Sequence, residues 1–193
     1  MTARADSTAE TARRVVQATI DLVLERGSLD VVLADVAERA GVSVQTVLRH
    51  FGSRAGLLAA AVETASEQVL LERETPVGDV RAAVRVVVGH YERLGGAVLG
   101  LLDRESGDPR IRALTDRGRR LHREWVTEVF RPASTAATDL LVVATDLYVW
   151  KLLRLDRALS RRTVEQRMRT LVQAVLSTDP SPGARPSTRR EIT

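Results

Sequence analysis

Three prolines set what this chain can become. Pro76, Pro109 and Pro132 are the only ones before residue 180. Proline breaks a helix interior, because it lacks the N–H and its ring clashes with the preceding turn. The stretches between these prolines carry apolar residues three and four apart, and no segment alternates with period two long enough to make a strand. The pattern predicts an all-α chain of about nine helices, with a three-helix N-terminal domain followed by a C-terminal helical bundle. A chain of 193 residues buries roughly 70% of its unfolded surface.

Glycine and serine place the boundaries. A first helix is expected to open at Ser7, where Ser7 and Glu10 form a capping-box pattern, and to run to Gly27. Two short helices follow. One spans about Leu33 to Ala40 and stops at Gly41; the next starts after the N-cap residue Ser43 and carries Val44, Val47, Leu48 and Phe51. Gly52 and Ser53 precede a fourth, about Arg54 to Glu74. Beyond Pro76 the spacing predicts helices over about Gly78–Leu94, Ala97–Leu102, Pro109–Phe130, Ser134–Leu155 and Thr163–Ser177. Residues 178–193 hold Pro180, Pro182, Gly183 and Pro186 among Ser, Thr and Arg, a composition expected to form a disordered tail.

Composition excludes several classes of function. The chain has no cysteine, so disulfides, thiolate catalysis and Cys-based zinc sites are out. No apolar run approaches the ~20 residues of a membrane span, and the N-terminus has no apolar export signal, so a cytoplasmic protein is expected. His90 with Glu92, and His122 with Glu124, stand two apart and so on different faces of a helix. Gly95, Gly96 and Gly100 lack the strand that a phosphate loop requires. No catalytic residues, metal or cofactor are expected, and the chain reads as a non-enzyme. The net charge of +4 hints at an anionic partner, yet over residues 1–56 seven arginines balance seven acids.

The spacing of Ala37, Gly41 and Val47 carries more. Two short helices joined by a tight turn, with a small residue in the first, Gly in the turn and a β-branched residue in the second, make a helix-turn-helix. With Val42, Val47 and Phe51 inward, the second helix presents Ser43, Val44, Gln45, Thr46, Arg49 and His50 outward. Gln45 can pair with adenine and Arg49 with guanine, while Val44 or the Thr46 methyl can touch a thymine methyl. Ser43, Thr46, His50 and Arg54 could hold phosphates. The bland reading is a solvated helix face in a three-helix bundle.

The run Val36-Ala37-Glu38-Arg39-Ala40-Gly41-Val42-Ser43, then Thr46-Val47, His50-Phe51, Ser53-Arg54 and Leu57-Leu58, closely resembles the signature of tetracycline-repressor (TetR) family regulators. The resemblance implies a homodimer that binds a palindromic operator in double-stranded DNA and releases it when an unidentified small-molecule effector enters the C-terminal domain. Three positions depart from the family pattern. Val31-Val32 stands where Thr usually opens the second helix, Leu48 where a phosphate-binding Tyr is usual, and Arg54 where Lys usually follows the turn. Arg39, Arg49 and His50 are the candidates for compensating the lost hydroxyls.

Residues 1–54 thus read as the DNA-binding domain and residues 55–177 as an effector-binding and dimerisation domain. The segment 134–155 has two apolar stripes, Leu140, Val143, Leu147, Trp150 and Leu141, Tyr148, Leu152, Leu155, which suggests burial on both sides. Leu141, Leu152, Leu155, Met168, Leu171, Val172 and Val175 are the candidates for a dimer interface. Tyr91, Leu102, His122, Trp125 and Tyr148 are the candidates for an effector pocket, although a lone histidine on an apolar face is more often a satisfied core residue. The alternative function is a helical ligand-binding or protein-interaction dimer without specific DNA binding.

Overall fold

The computed structural model describes residues 2–178, with side chains from residue 7 onward. All regular structure among the described residues is helical: α1 (Thr2–Arg26), α2 (Leu33–Ala40), α3 (Val44–Phe51), α4 (Arg54–Glu72), α5 (Val80–Arg104), α6 (Pro109–Phe130), α7 (Thr135–Ala144), α8 (Leu147–Lys151) and α9 (Arg161–Thr178). A π-helical turn, Leu152–Asp156, continues α8. No helix among the described residues is long and apolar enough to cross a membrane. The expected tail lies outside the described residues, apart from Thr178, which ends α9.

Serine and aspartate open helices by the same device. The side chains of Ser43, Ser53 and Ser134 each accept a hydrogen bond from the backbone N–H three residues on, at 3.1 Å, satisfying a donor that the first turn leaves unpaired. Ser7 does not open a helix. It lies inside α1, where its carbonyl accepts from Thr11 Oγ1 at 2.9 Å.

Two expectations about length also fail. The chain runs through Gly95 and Gly96 as one helix, α5, because its flanks are anchored by the buried Val87, Val88, Tyr91 and Leu101, which offsets the ~1 kcal/mol helix penalty of each glycine. The segment expected as one helix from Ser134 to Leu155 breaks instead at Thr145. Asp146 then starts α8, its carboxylate accepting from Tyr148 N at 2.7 Å.

The helices gather into two compact units. Among the described residues, one holds those up to Glu74 together with His90–Leu121; the other holds Thr75–Gly89 and those from His122 to Thr178. In the first unit Val15, Leu22, Val36, Ala37, Val47 and Leu57 form a single core with Leu101 of α5 and Ile111 of α6. In the second, Val84, Val126, Leu141, Val164, Met168 and Val172 are fully buried. Thr145 is buried there too: its Oγ1 donates to the Leu141 carbonyl at 2.7 Å and lies 3.2 Å from His122 Nε2.

Candidate nucleic-acid interface

The turn between α2 and α3 is fixed by backbone geometry. Gly41 has φ +65° and ψ +40°, a left-handed conformation that strains any residue with a Cβ. Its N–H donates to Glu38 O at 3.1 Å, and Val42 N donates to Ala37 O at 2.9 Å, the paired bonds that close a Schellman turn. Nothing lies within 4 Å of where a Gly41 Cβ would sit, so the dihedral angle and not space demands glycine.

Beyond the turn, Ser43 caps α3, and its Oγ lies 3.0 Å from Thr46 Oγ1. Val47 is completely buried against the core that holds Val36, Ala37 and Ala40, and so fixes which side of α3 faces outward. Val44, Gln45, Leu48 and Arg49 are exposed, while Thr46 and His50 are half-buried, His50 with its ring 6.0 Å from that of Phe51. Leu48 is 40% exposed and stands among the exposed residues of α3. An apolar side chain there suits a thymine methyl. Val32, where the family places a hydroxyl, occupies the N-cap position of α2 and makes no side-chain capping bond.

Arg54 does something other than wait for phosphate. Its Nε donates to Val31 O at 2.8 Å and its Nη2 to Leu29 O at 2.6 Å, with Asp30 at 3.2 Å. Arg104, from the end of α5, donates to the carbonyls of Arg26 and Gly27 at 2.8 and 2.7 Å. Arg110, from the start of α6, bonds Asp30 at 3.0 Å and Asp108 at 2.7 Å. The Arg110 and Arg54 guanidiniums hold the Asp30 carboxyl below the usual range, and hydrogen bonds from Arg110 bring Asp108 to about 2. Arg39 is committed likewise, to Glu25 at 2.6 Å.

The junction of α3 and α4 depends on a residue that sequence reasoning passed over. A Cβ on Gly56 would lie 2.3 Å from the Phe51 carbonyl oxygen, so only glycine lets α4 start this close to the end of α3. A glycine three residues after a serine N-cap was the available signal.

Residues 15–61, which span this assembly, match the family of bacterial regulatory proteins, tetR family. Over these residues the chain is similar to the N-terminal domain of the TetR family. HTH-type transcriptional regulator BetI 1 of Chromohalobacter salexigens is 30% identical over 86 residues, 42% of this chain and 43% of that protein. An uncharacterized HTH-type transcriptional regulator of Mycobacterium tuberculosis is 31% identical over 96 residues, 50% of this chain and 51% of that protein. The similarity thus spans about half the length of these curated relatives. Among solved structures, a transcriptional regulator from Rhodococcus sp. RHA1 aligns with TM-score 0.64 at 18% identity, covering 87% of this chain and 97% of its own. Salmonella enterica GusR aligns with TM-score 0.64 at 17% identity, covering 86% and 95%. At such identity the likeness shows that the TetR-like fold extends over the described chain.

The remaining candidates fall in both units. In the second unit His122 stacks on Trp125 with ring centroids 5.7 Å apart, while Tyr148 is 56% exposed. Tyr91 and Leu102 belong to the first unit, where Tyr91 lies under the Arg73 guanidinium at 5.6 Å. Of the dimer candidates, Leu141, Met168 and Val172 have no exposed surface within the protomer, so they are core residues with nothing to offer a partner. Leu152, Leu155 and Leu171 are exposed and Val175 is half-buried. The break at Thr145 explains the two stripes. Before it Leu141 faces inward and Leu140 and Val143 outward; after it Leu147 and Trp150 face inward and Tyr148 and Leu152 outward.

Proposed function

We propose that this protein is a sequence-specific, dimeric transcriptional regulator whose α3 enters the major groove of a palindromic operator, and that a small-molecule effector releases it. The observation that carries the reading is the exposed face of α3: Val44, Gln45, Leu48 and Arg49 project from a helix whose inward residue, Val47, is locked into the core. Gln45 reads adenine and Arg49 reads guanine; the N-terminus of α3, with Ser43, Thr46 and His50, approaches the phosphates. Residues 1–54 are the reader in this account, and residues 55–177 carry dimerisation and sensing.

A twofold operator needs two heads about one DNA turn, ~34–36 Å, apart or a multiple of it. Leu140, Val143, Tyr148, Leu152, Leu155 and Leu171 are large apolar side chains exposed in the second unit, and a second copy covers them. The effector binds by the stacked His122 and Trp125 and favours the dimer state with misplaced heads, lowering operator affinity through a coupling of ~1–3 kcal/mol.

Selection from a random duplex library tests the reading. A palindromic winner, bound on the order of 10³-fold above random DNA and weakened by Gln45→Ala with Arg49→Ala, is the expected result. Enrichment of no sequence, with weak binding that vanishes in salt, would overturn it.

A further inference from the structure

In the second unit four arginines line one groove. Arg81 and Arg85 stand one turn apart on α5, with the buried Val84 between them, and Arg162 and Arg169 lie along α9 with Gln166 between. The groove holds about 390 Å³, within the range of ~300–1,000 Å³ typical of small-molecule sites. The one carboxylate in its wall, Glu165, already accepts from Arg161 Nε at 2.9 Å. Among the described residues, none of Arg81, Arg85, Arg162 and Arg169 has a hydrogen-bond or ion-pair partner.

Like charges one turn apart on a helix repel each other. A second pair, Arg162 and Arg169, about two turns apart on α9, shares the groove and adds its potential where a ligand would sit. Each guanidinium presents a planar fork that matches a carboxylate or phosphate oxygen pair. A concave site of this size takes a compact molecule, whereas a duplex backbone needs an extended surface.

We propose that this groove is a binding site for a compact multivalent anion, a small molecule bearing two or more phosphate or carboxylate groups. The proposal rests on the groove alone and stands whether or not α3 reads DNA. Bound in the groove, the anion neutralises the four facing guanidiniums and therefore stabilises the fold by mass action.

Titration calorimetry and thermal melts of the full chain, with sodium pyrophosphate and separately with citrate at constant ionic strength, test it. The expected result is saturable binding of one anion per protomer by at least one of the two probes, with a raised melting temperature. Which probe binds distinguishes phosphate from carboxylate recognition. Arg85→Gln and Arg162→Gln should each weaken that binding about tenfold or more. Neutralising Arg157 and Arg167 together, both exposed and outside the groove, should leave it unchanged.

Three results would overturn the proposal. One is the lack of saturable heat with either anion up to about 5 mM, which is weaker than ~3 kcal/mol of binding. Another is an equal loss of affinity in the Arg157/Arg167 double variant, which would mean diffuse charge. The third is a loss of nonspecific duplex binding in the groove variants while anion binding persists, which would make the groove a DNA-backbone surface.

Discussion

In the first unit, Arg54, Arg104 and Arg110 converge on one loop, residues 26–31, and bind its carbonyls and its one aspartate. In the second, Arg81, Arg85, Arg162 and Arg169 surround a groove in which none of their guanidiniums has a partner among the described residues, and its one carboxylate, Glu165, is taken by Arg161. The side chains are identical and their local sequences give no hint of the difference. What differs is supply: a loop between helices leaves carbonyls unpaired, and a guanidinium that reaches them becomes architecture. On a continuous helix face every carbonyl is already bonded, and the same guanidinium is left for a ligand.

The largest effect is expected where the architectural set is cut. Arg54→Met removes two charge-assisted bonds to loop carbonyls and should cost about 2–4 kcal/mol, lowering the melting temperature by roughly 5–12 °C. An unchanged melt would erase the distinction between the two sets.

A second test uses the arginines around His90, which is buried with its Nδ1 3.3 Å from Glu72 and with Arg73 and Arg93 beside it. Burial, reinforced by the Arg73 charge and only partly opposed by Glu72, pushes its pKa down from 6.5 to about 4. Between those values the unfolded chain holds the extra proton. Stability is therefore full above about pH 6.5 and falls as the pH drops toward 4, by up to about 3 kcal/mol. Urea titrations across this window should show that slope, and His90→Gln should flatten it. Stability that rises on acidification would mean a charged His90–Glu72 pair instead.

Gly56→Ala should cost about 1–3 kcal/mol, because the methyl meets a backbone carbonyl that cannot swing aside. On the proposed function, operator affinity should fall with it, since α3 must shift. Thr145→Val, which weakens the buried His122 contact without opening a cavity, should cost only about 1 kcal/mol in a melt. Arg85→Gln is the smallest and has the opposite sign. Relieving repulsion in the empty groove should stabilise by a few tenths of a kcal/mol, and anion should abolish the gain.

Much of the reader was legible because its punctuation is local. Gly41, Ser43 and Ser53 act through their own dihedral angles or on a backbone N–H three residues away, and Val47 is inward by simple periodicity. The misreadings share a cause, which is that distant packing decided them. Gly95 and Gly96 look like a break until the buried residues on either side of them hold α5 together. The stripes of segment 134–155 suggested one helix buried twice, when Asp146 was capping a new helix and turning the register. Arg54 looks like a phosphate ligand from its position after the turn, and only the folded loop shows its carbonyl partners. Burial of Leu141, Met168 and Val172 within one protomer likewise depends on partners that no local pattern names.

The clasp on residues 26–31 is made largely to main-chain oxygens, and a carbonyl carries no side-chain identity. The loop can therefore exchange its side chains while Arg54 and Arg104 keep their hold, whereas neither arginine can be replaced by a shorter or apolar residue. If α3 reads DNA as proposed, that makes the reading head transplantable. A foreign segment spanning α2 and α3, with a small residue, a turn glycine and a β-branched residue at the same spacing, would seat under the same grip and bring a new operator preference without any refitting of α5 or α6.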